Sequence, residues 1–274
     1  MRIRTLSGVL ISAAAAMAVC AGGALPAAAA VGAGTGAAPV RVTPALSTSV
    51  APGGNFDLSV WELQLPIGSP GSPTTISPSQ LEGANGFQDS YFYTDTRDGA
   101  MTFWDPESGV TTPNSHYARS ELREMNSDGT PADWSLSGTS ELKATLRVVS
   151  VTDHVCVGQI HLGSGGTSTK PLAELYFHND GSIVLGTEDS PSGGQTDHPV
   201  GNVPVGKTWS YTLGVSGGEI DLTVNGTTTH YAIPSSFDAY RQYFKAGSYN
   251  QSSSSSTTNG ARVAFYGLSV SHSG

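Results

Sequence analysis

The sequence predicts an all-β domain, a sandwich or a barrel, and three observations carry that prediction. From residue 56 onward, short runs of alternating apolar and polar residues recur, separated by Gly, Pro, Asn, Asp or Ser. Only 13% of the 274 residues are charged, while 34 are Gly and 16 are Pro, a balance that excludes coiled coils and long charged helices. Three turn signals, Asn179-Asp180-Gly181, Ser216-Gly217-Gly218 and Asn225-Gly226, each separate two apolar runs and predict consecutive antiparallel hairpins.

The chain opens with Arg2 and Arg4, an apolar stretch over residues 9–21 and small residues at 27–30. This pattern predicts an export signal over residues 1–30 and a mature protein outside the cell. The apolar stretch is short and Ala-rich beside the roughly 20 residues of a spanning helix. Removing the leader takes away two positive charges and no acid, which moves net charge from −9 to −11. Cys20 leaves with it, so Cys156 has no disulfide partner and is expected as a buried small residue in Val155-Cys156-Val157. Residues 31–54 hold almost no large apolar side chain and are expected to be a disordered lead-in.

The folded domain is expected over residues 55–274, starting where Phe56, Leu58 and Val60 alternate with polar neighbours ahead of Trp61 and residues 63–66. Strands are expected at 90–93, 100–104, 118–124, 139–151, 154–162, 173–178, 182–187, 207–215, 219–224, 227–233, 243–250 and 261–272, by the same alternation. Helix is scarce: 77–81, after Ser77 and Pro78, and 235–241, which holds Phe237 and Tyr240. No repeat of fixed period is visible, and the serine run at 252–256 has strands on both sides, so it is expected to be a mobile loop of a single domain.

Net charge argues against a nucleic-acid partner, which needs a basic surface. Three segments carry possible chemistry. On a strand, Arg119, Glu121 and Arg123 share one face, and Ser120, Leu122 and Glu124 the other. Such a face is either a solvated row of ion pairs or a groove floor that grips carboxylates through the planar guanidinium fork, with Glu121 fixing the guanidinium orientations. Gln159 and His161 lie side by side, with Ile160 turned to the core. Tyr243, Lys245, Gly247, Tyr249 and Gln251 share a third face, where Gly247 is expected to leave room for a ligand.

Arg119-Ser120-Glu121-Leu122-Arg123, Gln159-Ile160-His161 and residues 243–251, with Lys245, Gly247, Tyr249 and Gln251 in place, occur in this order. Together they closely resemble the three signature blocks of the alginate lyases of polysaccharide lyase family 7, and residues 58–66 resemble that family's first strand. The resemblance covers nearly the whole mature domain. It implies a jelly-roll β-sandwich of two antiparallel sheets, with a concave sheet that holds the polymer. It also implies a secreted lyase that cleaves 1,4-linked uronates by β-elimination and leaves an unsaturated sugar at the new end.

By the same resemblance, Arg119 and Gln159 stabilise charge that develops on the substrate carboxylate. Tyr249 delivers a proton to the departing oxygen, and His161 or Tyr249 itself takes the C5 proton, according to the epimer bound. An ordinary tyrosine is a poor base at neutral pH, so that second role implies nearby cations, for which Arg119 and Lys245 are candidates. Arg123, Lys245 and Gln251 are expected to bind carboxylates and hydroxyls at neighbouring subsites, with Glu121 and Tyr243 also in the binding set. Ile160 leans towards guluronate-containing chains, and endolytic action is expected.

No cofactor or metal is called for, since the seven His show no HExxH or other close ligand pair. The expected partner is an anionic polysaccharide, met by a monomer with no membrane association after leader removal. Two rival readings remain. Glu219-Ile220-Asp221-Leu222 superficially resembles the acidic strand of laminarinase-like glycoside hydrolases, although no second well-placed acid is evident for hydrolysis. A non-catalytic carbohydrate-binding module would need aromatic and polar groups but no poised His and Tyr.

Overall fold

The structure, a computed structural model, describes residues 45–274. The expected leader, and the lead-in up to residue 44, lie outside the described residues. Alternation produces strands almost throughout. In chain order they are β1 (Trp61–Ser69), β2 (Ser72–Ile76), β3 (Phe92–Thr94), β4 (Met101–Pro106), β5 (Ser120–Glu124), β6 (Thr139–Val151), β7 (His154–Leu162), β8 (Pro171–His178), β9 (Ser182–Glu188), β10 (Gln195–Asn202), β11 (Thr208–Ser216), β12 (Glu219–Val224), β13 (Thr227–Ala232), β14 (Gln242–Asn250) and β15 (Gly260–Ser273). The helical pieces are α1 (Pro52–Asn55), α2 (Pro78–Leu81) and a 3-10 turn at Ser235–Phe237.

Two sheets result. One has eight strands in the order β10-β9-β8-β7-β14-β5-β1-β2, the other seven in the order β13-β12-β11-β6-β15-β4-β3. Neighbouring strands pair antiparallel, as between β7 and β14 or β6 and β15. Side chains from the inner faces form the core, with Leu122, Ile160, Phe244, Leu146 and Leu213 fully buried. Phe103 packs between Phe92 and Phe265 with ring centroids 5.1 and 5.3 Å away. Phe103→Ala is expected to lower the unfolding free energy by about 3–5 kcal/mol, read as a shift of the denaturant midpoint at unchanged m-value.

The expected hairpins form. Gly217-Gly218 joins β11 to β12 and Asn225-Gly226 joins β12 to β13, with both central residues at positive φ in each, as type I′ turns require. Two strands have no counterpart in the sequence reading. β2 carries Pro73, and β10 carries Pro199 at a register shift; each is an edge strand with little apolar alternation. Residues 195–202, outside the expected strands, therefore belong to the eight-stranded sheet.

Other expectations need correction. The ordered domain extends at least to Ala45, where a disordered lead-in to residue 54 was expected. Backbone and amide hydrogen bonds fix it despite its small side chains: Ala51 N–H donates to Ala84 O at 2.9 Å, and Asn55 Nδ2 donates to Ser47 O at 2.8 Å and Gly99 O at 3.1 Å. The 235–241 helix shrinks to the 3-10 turn that buries Phe237. The 252–256 loop is pinned by a carboxylate, since Ser252 Oγ and Ser254 Oγ both donate to Glu107, at 3.1 and 2.5 Å.

Candidate active site

The eight-stranded sheet carries a cavity of about 540 Å³ whose lining side chains come from β1, β5, β7, β8, β9, β10 and β14 and from the segments just before β5, just before β8 and just after β14. Direct cross-strand partners share a face, so register builds its floor. Glu62, Arg123, Lys245, Gln159 and Glu174 form one row across β1, β5, β14, β7 and β8. His161 pairs with Tyr243 in a parallel row. Ile160 and Phe244, on the opposite face of the same strands, are buried in the core.

Glu121 is the anchor of the site. It is 1% exposed and holds three neighbours: Gln159 Nε2 donates to Oε1 at 2.6 Å, while Arg119 NH1 and Lys245 Nζ lie 3.2 and 2.5 Å from Oε2. One buried carboxylate thus orients a guanidinium, an amide and an ammonium. It does not orient Arg123, whose NH1 donates to Glu124 O at 2.8 Å and whose guanidinium stacks 4.0 Å above the Tyr243 ring. Burial, and next the charge of Arg119, lower Lys245 to about 8 against the pull of Glu121.

His161 Nδ1 lies 2.9 Å from Leu162 O, a contact that requires the hydrogen on Nδ1 and leaves a lone pair on Nε2. Its ring stacks on Tyr243 at 5.1 Å. Burial first, and then the charge of Lys245, push its pKa down to about 3, so the imidazole is neutral at any working pH. A 15N NMR titration is expected to show a single neutral Nδ1–H tautomer for His161 down to about pH 4; imidazolium formation near the ordinary pKa of about 6.5 would contradict this environment.

Tyr249 Oη is 2.9 Å from Ser115 Oγ, and the Arg119 guanidinium lies 3.8 Å above its ring and donates to the same Ser115 Oγ at 3.2 Å. Lys245 Nζ is 5.9 Å from the ring centre. Both expected cations are present. Burial nevertheless outweighs Arg119 and Ser115 and raises the phenol above its ordinary pKa, so Tyr249 carries its proton and is suited to giving it.

All the expected residues, Arg119, Gln159, His161, Tyr249, Glu121, Arg123, Lys245, Gln251 and Tyr243, line this one cavity. Lys245 sits at its centre rather than in a flanking position, directly across from both Arg123 and Gln159. Gly247 serves a different purpose from the one expected. At φ +152°, a Cβ there would meet Ser120 O at 2.7 Å and Glu121 Cα at 2.8 Å, so the glycine permits close approach of β5 rather than of a ligand. Sequence reasoning missed Ser115, Glu62, Gln64, Lys170, Glu174, Glu188 and Gln195, which also line the cavity. The signal for Glu174 was there: it interrupts a buried apolar run in β8 as Gln159 does in β7.

A sandwich whose sheet floor brings a neutral imidazole, a protonated phenol and a buried guanidinium into one polar groove has the fold and the groups of a polysaccharide lyase. The chain belongs to the alginate lyase family, whose model matches residues 56–272. An alginate lyase of Klebsiella pneumoniae is 27% identical, over 84% of this chain and 94% of its own length. Among solved structures, a substituted family 7 alginate lyase A1-II′ in complex with its substrate GGMG superposes with a TM-score of 0.73 at 35% identity, over 82% of this chain and 97% of that one. The alginate lyase of Pseudomonas aeruginosa gives 0.73 at 35% identity, over 80% and 100%. The paired antiparallel sheets are the jelly roll of this family.

Proposed function

We propose that the protein is a secreted enzyme that depolymerises alginate by β-elimination, endolytically and with preference for guluronate-containing or mixed blocks. The observation that carries the chemistry is the pairing, in one cavity, of an unprotonated His161 Nε2 with a protonated Tyr249 Oη beside Arg119. The C5 proton of a uronate is weakly acidic because its own carboxylate opposes further negative charge. Arg119 and Gln159, both held by Glu121 in the cavity, are the donors we assign to that charge.

His161 Nε2 takes the C5 proton, and the C5–H electron pair forms the C4–C5 double bond. The C4–O bond breaks, and Tyr249 Oη gives its proton to the leaving oxygen. The products are a new reducing end and an unsaturated uronate. The imidazolium formed returns its proton, through solvent, to the tyrosinate. This assignment of base to His161 and acid to Tyr249 follows the direction of both pKa shifts, and it favours the epimer whose C5 hydrogen faces the imidazole.

Endolytic action is supported by the breadth of the groove, whose lining crosses seven strands, or about 30 Å at the usual strand spacing. The guluronate lean rests on Ile160, which reaches the sugar only through sheet packing beneath Gln159 and His161. Export rests on residues 1–30.

The test is incubation with alginate while ultraviolet absorbance of the unsaturated uronate and reducing ends are followed together. Both are expected to rise in step. Reducing ends without absorbance would mean hydrolysis, and binding without either would mean a binding module. The acidic strand that suggested hydrolysis gives no support to that rival: Asp221 lies on β12 of the seven-stranded sheet, outside this cavity, with His230 Nδ1 2.6 Å from its carboxylate.

A further inference from the structure

The charged row on the groove floor changes sign beyond Gln159. Arg123 and Lys245 give way to Glu174 on β8, and Glu188 lines the same cavity from β9, with the two acids only 9% and 6% exposed. A polyuronate lying across the strands carries a carboxylate on every unit. Ionised acids at this end would repel the sugar seated next to the cleavage position.

The hydrogen bonds around Glu174 show how that repulsion is relieved. Tyr176 Oη lies 2.6 Å from Glu174 Oε2 and 3.2 Å from Gln195 Oε1. Gln195 Nε2 donates to Asp197 Oδ1 at 2.7 Å, which leaves the amide oxygen turned to the phenol. Three oxygens in a line need two hydrogens to make two bonds, and a phenol has one. A proton on Glu174 Oε2 completes the chain: Glu174 donates to Tyr176, and Tyr176 donates to Gln195.

We propose that Glu174 is held as a neutral carboxylic acid and so turns the β8–β9 arm of the groove into a subsite for a charged uronate. It is a positioning residue for the polymer and takes no part in bond breaking. The proposal rests on the lyase reading above. The surroundings agree: burial is the main cause that raises Glu174 to about 7, Tyr176 and Lys245 oppose the rise, and Glu121 and Glu188 add to it. Burial also raises Glu188, against the charge of Lys170, and keeps the thiol of Cys156 on β7 protonated.

Below about pH 7 the arm then accepts a uronate, and above it Glu174 ionises and repels one. Lys245 loses its charge near pH 8 and weakens binding in the same direction, so the two steps must be separated. Glu174→Gln does this, because its carboxamide donates to Tyr176 as the acid does and stays neutral at every pH. KM and kcat for alginate are to be measured from about pH 6 to about pH 9 on both proteins. For the natural enzyme, KM is expected to rise about tenfold through the first step with kcat nearly constant, the size expected of one unit charge near a surface.

E174Q is expected to lack that step and to keep only the one near pH 8. An identical KM profile in the two proteins would overturn the proposal. A 13C NMR titration of side-chain carboxyls provides a readout independent of activity. The resonance lost in E174Q is expected to titrate near 7, and titration at the ordinary glutamate value of about 4.3 would overturn the proposal. Absence of unsaturated product at every pH, in both proteins, would sink the lyase reading, while the NMR titration would still decide the charge of Glu174.

Discussion

Replacing His161 by alanine is expected to lower kcat on alginate by about 10²- to 10⁴-fold while KM changes little, the usual size of a positioned general base. The expectation follows from what surrounds the ring. Leu162 O claims the Nδ1 hydrogen and Tyr243 covers one face, so Nε2 is the atom left for chemistry. The cations Lys245, Arg119 and Arg123 all favour the neutral form, so almost every molecule is competent as a base. Loss of the ring removes the proton acceptor and leaves the carboxylate-binding groups in place. Steady-state kinetics by absorbance decide the point, and a variant with undiminished kcat would remove His161 from the mechanism.

Glu121→Gln is expected to damage both fold and function. The natural carboxylate faces two cations and an amide with its side chain closed to solvent. Removing one partner from a buried ion pair costs about 3–5 kcal/mol, because the remaining charges lose their compensation. Lys245, already lowered to about 8, would lose its proton near neutral pH once Glu121 no longer holds it. Arg119 would lose the oxygen that aims it, and kcat/KM is expected to fall by at least about 10²-fold. Denaturant unfolding and kinetics at matched pH measure the two effects. A variant as stable and active as the natural protein would show that Glu121 anchors nothing.

Much of this site was legible because strands have a period of two. That rule alone placed Arg119, Glu121 and Arg123 on one face, and His161 beside Gln159, and the structure agrees. It also put Glu124 on the opposite face, where Trp134 Nε1 and Phe244 N–H donate to it at 2.9 and 2.8 Å and His272 Nε2 lies 2.6 Å away. What the period cannot tell is which strands become neighbours. Glu174 and Gln159 are fifteen positions apart, and only register makes them partners. Ser115 was missed for another reason, since it lies in an irregular segment ahead of β5 where no periodicity operates. Edge strands with proline escaped because pairing, rather than burial, holds them.

The most direct test is a crystal structure of the Tyr249→Phe variant with an alginate oligomer spanning the cavity. One sugar is expected with its C5 about 3–3.5 Å from His161 Nε2, its C4 oxygen above the edge of the ring at position 249, and its carboxylate against Arg119 and Gln159. An oligomer bound with C5 turned away from the imidazole, or seated on the seven-stranded sheet, would contradict that expectation.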